Sequence, residues 1–240
     1  MRDLLAFDLD GTLCPVGKGM AAEDAALLRE LEDSGCTIII SSGKPTYYLC
    51  GFARQLDLGH PILVGENGGT FQFGVGLPPE RYYEYPFDQN LRKALGELRA
   101  RIDRALAGRI WYQPNEIALT PFPRDAEAFE VIQQILDDSP ELLSGIAVYR
   151  QSDCFDILPD AISKRNGLQY LADLLGADRS RFAAVGDGIN DVPMFDYADL
   201  SISIGGKLAY RTDLAFDTIH EALCCLKEKT PSLRPQGPPA

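Results

Sequence analysis

Short apolar runs alternate with helical patterns at both ends of the chain. The predicted strands are 4–9, 37–42, 61–64, 181–185 and 200–204, and helical patterns cover 21–34 and about 45–56. Continuous apolar strands that alternate with helices indicate a parallel sheet covered on both faces. Each of these strands ends in a polar or glycine-rich turn, and open α/β sheets carry their sites at the carboxyl ends of strands. The pattern therefore predicts an α/β fold with a site at those ends.

The middle of the chain has a different pattern. Aromatic stretches there bracket two helical patterns, at about 89–106 and 124–137. Two helices with several strands predict a separate α+β domain that is inserted between two core halves. The predicted ranges are 1–69 and 158–230 for the core, 70–157 for the insert and 231–240 for a tail. Four prolines and one glycine in the last ten residues predict that this tail is disordered.

The chain is acidic, and its charge limits the partners that it can bind. Lysine and arginine total 23 against 35 aspartates and glutamates in 240 residues, a net charge of −12. Such a surface repels phosphate backbones and anionic lipids, so we expect neither nucleic acid nor a membrane as a partner. No apolar run approaches the roughly 20 residues of a membrane helix. Acidic residues interrupt the first apolar run, which argues against a signal peptide.

The six cysteines and two histidines form no familiar catalytic or metal-binding motif. The cysteines include no C-x-x-C pair, so we expect no zinc site. A serine hydrolase is disfavoured because the chain contains no G-x-S-x-G elbow. Scattered cysteines within apolar runs are typical of reduced thiols in a core, which predicts a cytoplasmic protein.

Clustered acidic residues follow two of the predicted strands. Asp8 and Asp10 are two residues apart at the end of the first strand, so the alternation of side chains along a strand predicts that both point the same way. Asp187 and Asp191 follow the strand at 181–185. Turns and helix caps would explain either pair alone. Converging carboxylates, however, repel one another unless a cation joins them, and an all-oxygen ligand set favours Mg²⁺.

Polar residues at three other positions add candidates for anion binding. Ser42 and Gly43 offer a hydroxyl and an exposed backbone N–H before a helix, which suits one phosphate oxygen. A helix-capping role for the serine is equally physical and compatible with this. Asn190 adds an amide between the second pair of aspartates. Lys164 precedes a helix, and an isolated lysine is usually a solvated surface charge, so only its place in the ordered series marks it as functional.

In chain order these residues resemble the four motifs of haloacid dehalogenase superfamily phosphatases. The motifs are Asp8-x-Asp10-Gly11-Thr12, Ser42-Gly43, Lys164 and Gly186-Asp187-x-x-Asn190-Asp191. The resemblance implies a Rossmann-like α/β core with a parallel sheet, and the insert after the third strand resembles the type IIB cap of the Cof-type branch. Glu66-Asn67-Gly68-Gly69 is similar to archaeal-type phosphoglycolate phosphatases and to mannosyl-3-phosphoglycerate and sucrose-phosphate phosphatases. Lys44 stands where many relatives have arginine, which keeps a cation but loses bidentate geometry.

The resemblance implies a Mg²⁺-dependent hydrolase of a small phosphorylated metabolite, such as phosphoglycolate or a sugar phosphate. Asp8 is then the nucleophile that forms an aspartyl-phosphate, and Asp10 is the general acid and base. The implied Mg²⁺ ligands are Asp8, the backbone carbonyl of Asp10, Asp187 and, directly or through water, Asp191. The implied phosphate ligands are Ser42, Gly43, Lys164 and Asn190. Without a cation, these carboxylates would not tolerate an anionic substrate.

Two other functions stay open at this point. A phosphomannomutase-like phosphotransferase would have the same nucleophile and cap, but a sugar hydroxyl rather than water would take the phosphoryl group. The third possibility is a non-catalytic protein that binds metal or phosphate. Specificity is expected from the cap, where Tyr112, Arg124 and Arg150 are the candidates. The pair Trp111-Tyr112 suits either stacking on a sugar ring or ordinary core packing. We expect a monomer or a homodimer.

Overall fold

The computed structural model describes residues 3–206 and 208–229. The predicted tail at 231–240 therefore lies outside the described residues. The described residues form two compact units: those up to Tyr83 join those from Lys164 onward, and Glu84–Ser163 makes the second unit. Within the described ranges, no helix is long and apolar enough to cross a membrane.

The described residues of the two units contain twelve strands and seven α-helices. The strands are β1 (Leu4–Phe7), β2 (Thr37–Ser41), β3 (Ile62–Gly65), β4 (Thr70–Phe73), β5 (Arg81–Glu84), β6 (Ile110–Tyr112), β7 (Pro121–Pro123), β8 (Ile146–Arg150), β9 (Phe155–Pro159), β10 (Phe182–Gly186), β11 (Leu200–Ile204) and β12 (Leu214–Phe216). The helices are α1 (Ala22–Asp33), α2 (Thr46–Gln55), α3 (Gln89–Leu106), α4 (Ala126–Asp137), α5 (Lys164–Leu175), α6 (Val192–Tyr197) and α7 (Ile219–Lys229).

An eight-stranded sheet organises the first unit, in the order β12-β11-β10-β1-β2-β3-β4-β5. The pairings from β12 through β3 are parallel, with β1 between β10 and β2. Because parallel strands end at the same edge of a sheet, the carboxyl ends of β10, β1 and β2 are neighbours. The predicted α/β fold with its parallel sheet is confirmed.

Helices cover both faces of this sheet, as continuous apolar strands require. Leu5 and Phe7 of β1 lie in one apolar cluster with buried residues of α1, α2 and α7. Leu4, on the opposite face of the same strand, is also buried and lies in register with Phe182. The ring of Phe182 meets Tyr197 of α6 edge to face, with 5.5 Å between ring centroids. The strands are therefore fixed in place from both sides.

In the second unit, α3 and α4 share an apolar core with two antiparallel hairpins, β6–β7 and β8–β9. Leu119 and Ile157 join the hairpins through two backbone hydrogen bonds of 2.8 and 3.0 Å. Leu98, Ile102 and Ile132 are fully buried where the helices meet this core. The unit has the α+β composition predicted for the insert, and its role as a substrate cap stays a prediction.

The boundaries of this unit differ from the predicted ones. The chain at 70–83 was predicted to lie in the insert, but it forms β4 and carries β5, at the edge of the large sheet. A tight turn at Gly65–Gly69 reverses the chain directly after β3, so β4 pairs back antiparallel instead of opening a new domain. At the other end, the division falls between Ser163 and Lys164 rather than near Pro159.

Candidate active site

Three carboxylates meet where two neighbouring strands end. Asp8 follows β1 directly, and its backbone N–H donates to the carbonyl of Val185 in β10 at 2.9 Å. Asp187 follows β10, and Asp191 ends the short 3₁₀ turn Ile189–Asp191 that comes next. One oxygen from each of Asp8, Asp187 and Asp191 lies within 4.8 Å of the others. The parallel register of β1 and β10 thus brings together acids 179 positions apart in the chain.

Lys164 lies between two of these acids. It is the first residue of α5, and only 2% of its surface is exposed. Its Nζ donates to Asp8 Oδ1 at 2.5 Å and to Asp191 Oδ1 at 2.6 Å. The alternative of a solvated surface lysine is therefore wrong, and the ammonium group is the buried counter-charge of the acidic cluster.

Burial and charge together perturb the protonation of this cluster. Burial raises the pKa of Asp8 to about 6, with Lys164 opposing and Asp191 adding to the shift. Burial also raises the pKa of Asp187. For Lys164 burial acts downward, but the charges of Asp191 and Asp8 outweigh it and the pKa lies above its ordinary value. One ammonium among three carboxylates leaves the cluster short of positive charge.

Hydrogen bonds hold the two acid-bearing loops in fixed conformations. Asp191 Oδ2 accepts the backbone N–H groups of Asp187 and Gly188, each at 3.0 Å. Thr12, which is buried, donates its hydroxyl to Asp187 Oδ1 at 2.9 Å and so ties the first loop to the second. Gly186 leaves the room that this needs, since an added Cβ would lie 2.5 Å from Asp191 Oδ2. Thr12 is a contact that the spacing of acids alone does not reveal.

Asp10 lies outside the carboxylate cluster of the described residues, contrary to the expectation from alternation. The rule that side chains two apart share a face holds only within a strand, and β1 ends at Phe7. The chain then turns, and Asp10 forms an isolated bridge with Cys14. Its Oδ2 lies 3.4 Å from Lys44 Nζ, and about a quarter of its side chain is exposed (24%). Asp8 and Asp10 therefore occupy different environments.

The other predicted phosphate ligands lie on loops beside the cluster. Ser42 is buried directly after β2, and its Oγ accepts the backbone N–H of Lys44 at 3.3 Å. Gly43 follows it and is half-buried. Asn190 is exposed in the 3₁₀ turn, where its Oδ1 lies over Gly188. Of the four predicted phosphate ligands, Lys164 is the one for which the described residues show a direct contact with the acidic cluster.

The predicted specificity residues belong to the second unit. Tyr112 lies against α3: its hydroxyl donates to Asp103 Oδ1 at 2.8 Å, and the Arg99 guanidinium lies 4.4 Å from its ring centroid. Arg150 lies against α4, 4.6 Å from the ring centroid of Phe129, and pairs with Glu130 at 2.7 Å.

The third of these residues, Arg124, lies directly after β7, where its backbone N–H donates to the carbonyl of Arg109. Arg124 and Arg150 both line an open cavity of about 600 Å³ at the start of α4. Trp111 is the more exposed aromatic residue, with 53% of its surface accessible and its ring against Phe122. The substrate roles of all these residues stay predictions.

A sequence model of haloacid dehalogenase-like hydrolases matches residues 5–74 and 112–210. The chain belongs to this family. A phosphoglycolate phosphatase of Methanopyrus kandleri is 27% identical over 206 residues, which are 85% of this chain and 84% of that protein. The four motifs predicted membership among the phosphatases of this family, and the comparisons confirm it.

Solved structures have the same fold. A haloacid dehalogenase-like hydrolase from Bacteroides thetaiotaomicron superposes with a TM-score of 0.76 at 20% identity, over 94% of this chain and 100% of that one. A sugar phosphatase of subclass IIB in this superfamily superposes with a TM-score of 0.67 at 18% identity, over 95% and 99% of the two chains. The fold is thus shared over almost the whole length of each chain.

Proposed function

We propose that the chain is a Mg²⁺-dependent phosphomonoester hydrolase that acts on a small phosphorylated metabolite through an aspartyl-phosphate on Asp8. The observation that carries this proposal is the buried pairing of Lys164 with Asp8 and Asp191, beside Asp187. Phosphoryl transfer depends mainly on positioning and charge compensation. A buried nucleophile with one oxygen held by an ammonium group supplies both.

The chemistry of the acidic cluster supports a divalent cation. Its donors are carboxylate oxygens within 4.8 Å of one another, and burial raises the pKa values of Asp8 and Asp187. An oxygen-only donor set suits Mg²⁺. Asp8, Asp187 and the backbone carbonyl of Asp10 would hold it. Asp191, whose oxygens already accept hydrogen bonds, would join them directly or through water. When bound, the ion supplies charge neutralisation for the carboxylates and for the incoming phosphoryl group.

Asp8 and Asp10 would divide the reaction between them. Lys164 holds Asp8 Oδ1, which leaves Oδ2 to attack phosphorus. A bond then forms from Oδ2 to phosphorus, the bond to the leaving oxygen breaks, and Asp10 gives that oxygen its proton. In the second step Asp10 takes a proton from water, the water oxygen bonds to phosphorus, and the carboxylate of Asp8 is released. Lys164, Ser42, Gly43 and Asn190 would bind the phosphoryl oxygens.

The proposed substrates follow from the relatives. The Methanopyrus kandleri protein is named a phosphoglycolate phosphatase, and a superposing structure is named a sugar phosphatase. We therefore place phosphoglycolate and small sugar phosphates first among the substrates to test. The net charge of −12 disfavours nucleic acid and anionic membranes as substrates, so a small molecule bound at a locally compensated site is the class that we test.

The test is phosphate release from a panel of small phosphate monoesters, with Mg²⁺ present and no bisphosphate activator. We expect turnover of at least one metabolite, its loss in EDTA and its recovery with Mg²⁺. Asp8→Asn is the matched control because it keeps the shape of the side chain and removes the anionic nucleophile. Turnover by Asp8→Asn would place the nucleophile elsewhere, and turnover only with a bisphosphate activator would indicate a phosphotransferase.

A further inference from the structure

The turn between β3 and β4 holds an unusual backbone conformation. Its residues Glu66, Asn67 and Gly68 have φ angles of 53°, 58° and 105°, three consecutive positions in the left-handed region. Residues other than glycine adopt this region rarely. Glu66 is nevertheless buried, with 1% of its surface exposed. Strained backbone persists where the surroundings enforce it, and it clusters at functional sites.

This turn, Gly65–Gly69, is hydrogen-bonded to both ends of the loop Ser42–Lys44. The backbone N–H of Asn67 donates to the carbonyl of Ser42 at 2.9 Å, and that of Glu66 donates to the carbonyl of Lys44 at 3.0 Å. The carboxamide of Asn67 also borders the residue between them, since a methyl group on Gly43 would lie 3.4 Å from its Nδ2. The conformation of the proposed phosphate loop is therefore set by the turn.

The same turn touches the helix that carries Lys164. A Cβ added to Gly167, three residues further along α5, would lie 2.6 Å from the Cα of Gly68. Two backbones thus meet where neither has a side chain. Any side chain at position 167 must move either the turn or the first part of α5, because the obstructing atom belongs to the backbone.

We propose that the Gly65–Gly69 turn is a positioning element that sets Lys164 relative to the phosphate loop Ser42–Lys44, and that Asn67 is its positioning residue. The proposal rests on the proposed function, in which both groups bind one phosphoryl group. Displacement of a reacting group by about 1 Å can cost about 10²-fold in rate. A turn that contacts both elements removes that freedom.

Gly167→Ala tests the contact with α5, and Gly51→Ala is its matched control. Both replace a glycine within a helix, but a methyl group at Gly51 has no heavy atom within 4 Å. Helix propensity alone predicts that both variants gain stability. We expect Gly51→Ala to keep wild-type kinetics. In Gly167→Ala, kcat/KM should fall by about 10²-fold, and inorganic phosphate, titrated calorimetrically with Mg²⁺ present, should bind more weakly.

Asn67→Gly provides a variant that keeps the fold, because glycine adopts a positive φ without strain. Asp57, an exposed residue with φ 59°, provides the control Asp57→Gly. We expect both variants to keep the melting temperature, and only Asn67→Gly to lose kcat/KM, by about tenfold, because it removes the carboxamide that borders Gly43.

Wild-type kinetics and phosphate affinity in a folded Gly167→Ala would overturn the proposal. If that variant does not fold, wild-type kinetics in Asn67→Gly would overturn it instead. Wild-type protein that releases no phosphate from any monoester contradicts the proposed function itself, so the two failures are distinguishable.

Discussion

Replacing the proposed nucleophile should make the metal-free protein more stable. Burial raises the pKa of Asp8 from 3.8 to about 6, so ionised Asp8 is less favourable in the folded chain than in the unfolded chain. Each pKa unit corresponds to about 1.4 kcal/mol, and the shift therefore amounts to about 3 kcal/mol. Asp8→Asn mimics the neutral acid. In EDTA at pH 7 it should raise the free energy of unfolding by up to about 3 kcal/mol, or roughly 6–12 °C in Tm.

The pH dependence follows from the sign of the shift. An acid whose pKa is raised on folding costs no stability below its unfolded pKa, and the cost grows as pH rises from the unfolded value to the folded value. The two proteins should therefore have equal stability near pH 3.5 and diverge between pH 4 and 6. Asp10→Asn is the control, since Asp10 lies outside the carboxylate cluster. Its free energy of unfolding should change by no more than about 0.5 kcal/mol.

Differential scanning calorimetry with and without Mg²⁺ measures both effects. Saturating Mg²⁺ stabilises the wild type by mass action, and it should stabilise Asp8→Asn less because a ligand is missing. The order of the two melting temperatures should then reverse. A lower or equal Tm for Asp8→Asn in EDTA at pH 7 would refute the claim that burial destabilises the ionised nucleophile.

Three further outcomes are expected. Asp10→Asn should accumulate a base-labile phosphoenzyme with p-nitrophenyl phosphate, because it keeps the nucleophile but loses about 10²–10⁴-fold in acid–base catalysis. Rapid quench should find no phosphoryl label on Asp8→Asn. A label there would contradict the assignment of Asp8 as the nucleophile. Thr12→Val should weaken Mg²⁺ binding by about 10–100-fold through its hydrogen bond to Asp187; unchanged affinity in a calorimetric titration would remove Thr12 from the site. EDTA should abolish phosphate release and Mg²⁺ should restore it, and full turnover in chelator would rule out the metal.

Much of the first unit could be predicted from the sequence because its strands are continuous apolar runs. The runs at 37–42 and 200–204 became β2 and β11 almost unchanged, and each ends in the predicted turn. Parallel strands then place loops from distant parts of the chain at one edge, which is why Asp8 and Asp187 meet. Lys164 was harder to assign, since nothing in its local pattern marks it as buried.

The errors have equally physical causes. Alternation placed Asp10 beside Asp8, but it applies only while the strand continues, and β1 ends before both. The segment 70–73 was assigned to the insert because hydrophobic patterns do not reveal a reversal of direction. That reversal depends on positive φ angles at Glu66 and Asn67. The glycine-rich turn after the third strand was predicted, but a turn signal does not show whether the next strand pairs back onto the same sheet.

The second unit shows a further limit. Helix α3 spans the predicted range, 89–106. The contacts that aromatic and basic side chains elsewhere in the unit make were not predicted. Tyr112 and Arg150 were chosen as residues that could meet a substrate. They lie against α3 and α4, and their substrate roles stay predictions. Short strands such as β6 alternate too briefly for a sequence to show which face each residue occupies.

The two connections between the units should differ in how far their length can change. At the first connection the chain leaves the sheet from β5. This is an edge strand, so added or deleted residues there face a neighbouring strand only on the β4 side. On the return side the boundary falls directly before Lys164, so a change of length there would shift the register of α5 and its ammonium group. We therefore expect related chains to vary in length after Glu84 and to keep a fixed spacing before Lys164. A chimera that exchanges inserts should therefore tolerate added or deleted residues at the junction after Glu84. At the junction before Lys164 it should need the original number of residues.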